Sequence, residues 1–454
     1  MTSSFWTLDR VSSALADHAT AALPRGTTEI KGINTDTRSI EPGQLFVALK
    51  GERFDGHDHL ELAARAGAAA VVVSRVPPLG VLGIPVFQVD DTLVALGALA
   101  RYWRRAWGGT VVAVAGSNGK TTTKDLVRAA LGGEMRVHAT TGNLNNRVGV
   151  PLTLLALPTE AEIAVIELGT NVPGEVAILR EISEPGIAVV TSVAEEHLEG
   201  LGDLAGVLRE EAACYDGVDV GIAPAGQPEI AEAARGRAGR VITAGLDDGD
   251  VKPVSWKLDP DGRGILDLGT VVVSSPLRGL HNLENAMLAI AVARTAGVSD
   301  ESIATGIARM PAPKMRVAWE TLGRATLIND AYNANPGSAR AAINLVKGVG
   351  PGRQRVVVLG TMRELGSASD ACHDDISRLA LDSGADIVAG IGEFARSLGR
   401  VAPGDARVLT ASTVEEIWPQ LAPRLAPDAV ILLKASRGVQ LERLVPHLTT
   451  WATQ

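Results

Sequence analysis

Aromatic residues are scarce in this chain: 7 Trp, 3 Tyr and 5 Phe among 454 residues, or 3%. Aliphatic side chains must therefore fill its cores, and few rings remain to stack on bases or sugars. Cysteine is scarcer still. Cys214 and Cys372 are too few and too far apart for a disulfide scaffold or a zinc knuckle. Basic residues hold no majority, with 43 Lys and Arg against 52 Asp and Glu and a formal charge of -9. A broad nucleic-acid surface draws on clustered Lys and Arg, so no nucleic-acid partner is expected. A local pocket for one small phosphorylated ligand stays open. Long apolar runs are also missing: AAAVVV near residue 70 and the run 187–193 fall far short of a membrane span. The start, MTSSFWTLDR, has neither the basic flank nor the apolar stretch of a secretory signal. A cytoplasmic protein without membrane insertion is the expectation.

What is present suits a large folded protein. Hydrophobic residues make up 46% and charged residues 21% of the chain. One core rarely grows past about 250–300 residues, so more than one domain is expected. GQLFVAL (43–49) reads as a strand, and HLELAARAGAAAVVV (59–73) as a helix, a glycine turn and a strand. A helical spacing over 91–108 stops at Gly108 and Gly109. Short Val- and Ile-rich strands then recur at 110–116, 163–169, 186–193 and 219–226, separated by helical stretches. That alternation suits a mostly parallel sheet covered on both faces. Hairpins are predicted over 251–277 before a helix at 282–296, and a further α/β unit starts around Pro311–Pro313. The expected architecture is α/β with three domains, 1–108, 109–312 and 313–454. The second holds a central, mostly parallel sheet, and the third is Rossmann-like.

The strongest local signal is AVAGSNGKTTTKDLV, residues 113–127. An apolar strand runs into Gly116, Ser117, Asn118, Gly119, Lys120, Thr121 and Thr122, and a helix follows. The glycines allow a tight turn that aims N–H groups inward, where they and the helix N-terminus favour phosphate oxygens. Lys120 can set a cation against the β and γ phosphates, and Thr121 can offer a hydroxyl to magnesium. Only two residues separate the outer glycines, against four in the longest form of the motif. The loop predicts ATP or another nucleoside triphosphate over a plain glycine turn. By itself it does not separate an ATPase from a kinase or a ligase.

Glu167 ends the strand 163–169, and His197 follows the strand 186–193 within AEEHLEGLG. Active groups in open α/β sheets commonly lie beyond strand carboxyl ends. Glu167, His197 and Thr121 are therefore candidates to converge on nucleotide-bound Mg2+, with manganese also expected to serve. The plainer alternatives are a helix cap for Glu167 and a structural loop role for His197. TGNLNNRVGVPLTLL (141–155) offers Asn143, Asn145, Asn146 and Arg147 as donors and acceptors. Asn282 and Asn285, three apart at a helix start, can share one face and meet an adenine edge. In NDAYNANPGS (329–338), Asp330 can accept from a ribose or orient a basic group. KASRG (434–438) places Lys434 and Arg437 after a strand as anion-gripping candidates or as a charged strand end.

In this order the motifs resemble the Mur ligase family over almost the whole chain. DTRSIEPGQLFVALKGERFDGHDH (36–59) resembles the family's N-terminal substrate domain. GSNGKTTTK, GNLNNRVGVP, ELGTN, HLEGLG and HNLENA resemble its central ATPase domain, and NDAYNANP, VLGTMRELG and KASRG its C-terminal domain. The resemblance implies an ATP-dependent amide ligase. A carboxylate is first phosphorylated to an acyl phosphate, and an incoming amine then displaces phosphate. YNANP favours members that add D-alanyl-D-alanine to a UDP-N-acetylmuramoyl-tripeptide, since members adding the third amino acid carry Asp-Asn-Pro-Arg. A folylpolyglutamate ligase would leave DTRS and FDGH unexplained. An inactive nucleotide-binding regulator is the reading from another functional class.

By the same resemblance, Lys120 would hold the transferred phosphate, and Thr121, Glu167 and His197 the magnesium. Asn282 and Asn285 would meet adenine, while Arg316 and Asp330 approach the nucleotide. Asp36, Arg38 and Ser39 fall in the part that binds the UDP group. Asn145 and Asn146 would flank the incoming peptide, and Tyr332, Asn333, Asn335 and Pro336 would face the acceptor dipeptide. The implied enzyme is a monomer whose third domain rotates to trap its substrates. Glu211 aligns with a lysine that the family commonly carbamylates, so its carboxylate is expected to supply that anion directly. Three departures stand out: AEE before His197, Met315 in place of a glycine before Arg316, and Ala435 in place of a glycine in KASRG.

Overall fold

The computed structural model describes residues 5–75, 82–311 and 315–453. The sequence VPPLGVLGIPVFQV (76–89) sets Pro and Gly around another expected short strand; its first part, the first four residues of the chain and the expected boundary at 312–313 lie outside the described residues. By internal contacts the chain forms two compact units. One comprises Met1–Ala113, His138–Gly169 and Ala177–Gly186, and the other Val114–Val137, Thr170–Val176 and Ile187–Gln454.

In the first unit a four-stranded parallel sheet runs in the order Ile33–Asn34, Leu45–Val47, Ala70–Val73, Val86–Gln88. Phe46, Val71 and Val73 pack there on Leu60 and Ala63 of the helix Leu60–Arg65. The helix Thr92–Trp107 is capped at its start by Asp91, which accepts from Leu93 N at 2.7 Å and Val94 N at 3.2 Å. It stops at Gly108, whose φ of 73° suits a residue without Cβ. Scarce aromatics gather here. Phe5 lies 4.6 Å from Trp103, and Trp6 lies 5.8 Å from Tyr102, ring centre to ring centre.

A six-stranded sheet follows the order Arg240–Ala244, Val220–Pro224, Ile187–Val190, Thr110–Ala115, Ile163–Glu167, Val137–Ala139. Its inner strands are buried along almost their whole length, which is why they read as unbroken apolar runs. Arg240–Ala244, at an edge and only partly covered, was not anticipated from sequence. The expected hairpins are an antiparallel sheet of Ser255–Leu258, Arg263–Asp267 and Val272–Arg278.

The last sheet orders Ala318–Leu322, Ala325–Asp330, Val430–Lys434, Arg355–Gly360, Ile387–Ile391, Val408–Ala411. Its first pair is antiparallel and the remainder parallel, and each face carries its own aliphatic core. Register sets Asp330 beside Lys434 at the carboxyl ends of adjacent strands. Among the described residues no helix is long and apolar enough to cross a membrane. Cys214 is buried, Cys372 is partly buried, and both are free thiols.

Candidate nucleotide and ligation site

The phosphate loop begins where the strand Thr110–Ala115 ends. Gly116 has φ 118°, and a Cβ there would strike Thr191 Oγ1 and approach Thr191 N to 2.7 Å. Gly119, at φ 85°, caps the helix Lys120–Leu131, and a Cβ on it would come within 2.6 Å of Asn285 Oδ1. Glycine is thus required twice, once by the strand turn and once by the asparagine. The loop is pinned from the 191–194 segment: Ser117 N donates to Ser192 O at 2.8 Å, Asn118 N to Ser192 Oγ at 3.0 Å, and Ala194 N to Ser117 Oγ at 3.0 Å. Lys120 Nζ donates to Gly116 O and, at 3.3 Å, to Ser117 O. Thr121 and Thr122 begin the helix, the first half-buried and the second buried. Asn285 Nδ2 donates to Asn282 Oδ1 at 3.4 Å, and Asn282 Nδ2 to Arg278 O at 2.8 Å. The two asparagines read as an adenine pair therefore do share a face, beside the loop.

Two carboxylates, Glu211 and Glu196, face this loop in the same unit. Glu211, 2% exposed, accepts from Gly116 N at 2.7 Å. Burial pushes its carboxyl up to about 7; Lys120 and the Gly116 N–H oppose that, while Glu196 and Glu210 reinforce it. Glu210 turns the other way. It accepts from Thr170 Oγ1 at 3.1 Å, Gly174 N at 2.7 Å and Val176 N at 2.8 Å, tying down the 170–176 segment. Glu196 lies 3.9 Å from Lys120 Nζ and 3.3 Å from His197 Nε2. Burial works against its ionisation, yet the charge of Lys120 and the hydrogen bond with His197 hold its carboxyl below the ordinary value. His197 sits at φ 53°, with Nδ1 on Glu364 Oε2. Burial would lower its pKa, but Glu196 and Glu364 raise it above the usual histidine range.

The segment 330–336 meets the same loop. Asn335 Nδ2 donates to Asn118 Oδ1 at 2.9 Å, and Asn333 Nδ2 reaches Glu196 Oε1 at 3.5 Å. Asn335 Oδ1 meanwhile caps the helix Pro336–Lys347 by accepting from Ser338 N at 2.8 Å. Lys434 Nζ donates to Asp330 Oδ2 at 2.6 Å and to Asn333 O at 2.8 Å, so any grip it has on an anion starts from a neutralised pair. Arg437 pairs with Glu442 at 2.8 Å. The guanidinium of Arg316 stacks 4.2 Å from the centre of the Tyr332 ring.

The remaining sequence candidates lie in the first unit. Glu167 accepts from Asn145 Nδ2 at 2.8 Å through Oε1, while its buried Oε2 has no hydrogen-bond partner. Thr140 Oγ1 accepts from Glu167 N at 2.9 Å. Asn146 Oδ1 accepts from Gly149 N at 2.8 Å and Val148 N at 3.1 Å, a turn-forming role. Arg38 embraces Asp36 through Nε at 2.9 Å and Nη2 at 2.6 Å, and this hydrogen bonding lowers the Asp36 carboxyl to about 2. Ser39 Oγ donates to Asp36 O at 3.3 Å and accepts from Asn34 Nδ2, also at 3.3 Å.

Residues fit for a hard divalent cation surround the loop. Glu211 is a buried carboxylate, and Glu196 Oε2 is buried with no hydrogen-bond partner. Among the described residues no three His, Cys, Asp or Glu side chains already form a metal cage. That matches magnesium, which takes one or two carboxylates and completes its shell with phosphate and water. Sequence reasoning passed over Glu196 and Glu364. The one available signal was the doubled acid in AEE ahead of His197.

The chain is similar to known proteins along nearly its full length. The family models that match are the Mur ligase family catalytic domain over 29–104, the Mur ligase middle domain over 114–293, and the Mur ligase glutamate ligase domain over 315–437. A UDP-N-acetylmuramoyl-tripeptide–D-alanyl-D-alanine ligase of Bacillus subtilis is 36% identical over 428 residues, covering 93% of both chains. The crystal structure of MurF from Acinetobacter baumannii superposes with a TM-score of 0.89 at 32% identity, covering 98% of this chain and 99% of the other. MurF ligase from Thermotoga maritima in complex with ADP gives a TM-score of 0.83 at 26% identity, covering 93% and 98%.

Proposed function

The chain belongs to the Mur ligase family, and from that membership we propose that it joins D-alanyl-D-alanine to a UDP-N-acetylmuramoyl-tripeptide, driven by ATP, in peptidoglycan precursor synthesis. The observation that carries the choice of substrates is the 36% identity, over 93% of both chains, to a ligase named for them. The ADP complex of a structural relative supports the nucleotide, and the phosphate loop supplies the place for it. The reading extends to a monomeric cytoplasmic enzyme with three functional domains. Residues 1–108 hold the UDP-linked substrate, 109–312 bind ATP, and 313–454 meet the dipeptide and the nucleotide.

A carboxylate is a poor acylating agent, so its oxygen first attacks the γ-phosphorus of ATP, giving an acyl phosphate and ADP. The amine of the dipeptide then adds to the acyl carbon, loses a proton, and the tetrahedral intermediate collapses with loss of phosphate. This chain's part is to orient the reactants and to neutralise charge. Lys120, now folded onto its own loop carbonyls, would turn to the transferred phosphate. Thr121, His197, Glu211 and Glu167 would hold Mg2+, which neutralises phosphate charge when bound. Asn282 and Asn285 would meet adenine, and Arg316 and Asp330 the nucleotide. Asp36, Arg38 and Ser39 would serve the UDP group, and Asn145 and Asn146 the tripeptide. Asn333, Asn335 and Pro336 would serve the acceptor dipeptide.

A substrate matrix tests the reading. UDP-linked tripeptide is crossed with D-Ala-D-Ala and with single amino acids, and ADP and ligated product are read together. Product with the dipeptide, and ADP release only when both substrates are present, is the expected result. Product with a single amino acid instead would assign another ligase of the family, and ATP binding without turnover would assign a regulator.

A further inference from the structure

Arg316 is presented by an unusual backbone. Its neighbours Met315 and Val317 have φ of 55° and 52°. A β-branched residue such as Val317 rarely adopts that left-handed region, so the surrounding structure must impose it. What imposes it is the buried pair Asp330–Lys434. Val317 N donates to Asp330 Oδ1 at 3.1 Å, while Asp330 Oδ2 holds Lys434 Nζ at 2.6 Å. Met315 Sδ is fixed from the other side, accepting from Arg437 Nη1 at 3.5 Å.

The same ion pair fixes Tyr332. That residue leaves the strand end at Asp330, and its neighbour Asn333 gives its carbonyl to Lys434 at 2.8 Å. One frame therefore sets both partners of the stack, guanidinium and ring, at 4.2 Å. An incidental surface contact would join two mobile side chains. Here both residues are half-buried and both backbones are anchored to a pair 3% and 8% exposed.

The geometry points to Tyr332 as the positioning residue of Arg316: its ring holds the guanidinium in place for the nucleotide, and it acts through that arginine instead of gripping the dipeptide. This deepens the proposed function and rests on its assignment of Arg316 to the nucleotide. An aromatic face attracts a cation without neutralising it, so the charge of Arg316 remains available to an arriving phosphate. Against burial, and alongside Lys120, that charge already helps hold the Glu196 carboxyl low.

A double-mutant cycle on the full-length protein tests the coupling, by calorimetric titration with β,γ-methylene-ATP and Mg2+. The variants are Y332F, Y332L, R316A and R316A/Y332L. Y332L is expected to weaken binding by about threefold to thirtyfold, the range of a cation–π contact, and Y332F to bind as wild type does. In the R316A background Y332L is expected to add nothing. A further loss in the double variant would overturn the inference. So would a Y332L protein that binds the analogue normally and shows only a raised KM for D-Ala-D-Ala. The cycle reads nucleotide affinity and not ligation, so a failure of the dipeptide reaction would leave its result standing.

Discussion

Glu210 and Glu211 are neighbours in sequence with opposite duties. Successive residues on the helix Leu204–Ala212 point about 100° apart, so one carboxylate meets the 170–176 backbone and the other the phosphate loop. The family resemblance pointed to Glu211, whereas the doubled acid by itself leaves the helical register ambiguous. Their substitutions should separate cleanly. Glu210→Ala orphans the Gly174 and Val176 N–H donors, a loss on the order of 3 kcal/mol of stability. Glu211→Gln keeps the volume and should leave the melting midpoint close to wild type while turnover at limiting Mg2+ falls. Wild-type turnover in Glu211→Gln at limiting Mg2+ would remove Glu211 from the metal reading. His281 gives the residue scale its pH dependence. Burial and the charge of Lys434 hold its ring at about 4, against the pull of Asp330. Below pH 6.5 the unfolded chain takes up a proton that the folded chain refuses. Stability should therefore fall as pH drops from 6.5 towards 4, by at most about 1.4 kcal/mol per unit. In His281→Gln this part of the acid limb should flatten, read as unfolding midpoints at pH 7.5 and pH 5.

Strands buried on both faces were legible from sequence, as were the half-covered hairpin strands of 255–278, but two half-covered sheet edges were not. Thr110–Ala115 and Ile163–Glu167 are apolar runs because both faces are inside. Arg240–Ala244 and Val408–Ala411 are sheet edges with mixed exposure, so neither an unbroken apolar run nor strict alternation marks them. The helix Pro336–Lys347 shows how an element carries the site. Asn335 caps it with Oδ1 and reaches the phosphate loop with Nδ2. Aspartate keeps the cap and removes the donor, whereas alanine removes both. Asn335→Asp should thus retain the wild-type unfolding midpoint and weaken nucleotide binding. Asn335→Ala should weaken binding and also lower the midpoint, by about 1 kcal/mol of stability for the lost cap. Equal destabilisation in the two variants would mean that the contact to Asn118 is no more than structural.

At the scale of the molecule, each motif sits at the carboxyl end of a strand, where open sheets place their ligands. Their order along the chain was therefore readable. Their pairing was not, since no local spacing marks a contact between Asn118 and Asn335, 217 positions apart, or between His197 and Glu364, 167 apart. The first joins the loop that would receive ATP to a segment 217 positions later, and the second joins His197, whose neighbour Glu196 faces Lys120, to one 167 positions later. If nucleotide draws Lys120 off Gly116 and Ser117 and onto phosphate, the loop stiffens, and its partners at 331–336 and 361–366 must stiffen with it. Amide hydrogen exchange with β,γ-methylene-ATP and Mg2+ should then slow in three places: 114–131, 331–336 and 361–366. The Asn335→Asp variant should keep protection at 114–131 and lose it at 331–336, because only the link to Asn118 is cut. Protection confined to 114–131 in the wild-type protein would show that the loop binds nucleotide without engaging the last 140 or so residues. The ligase would then need its acceptor dipeptide, and not ATP, to order that segment.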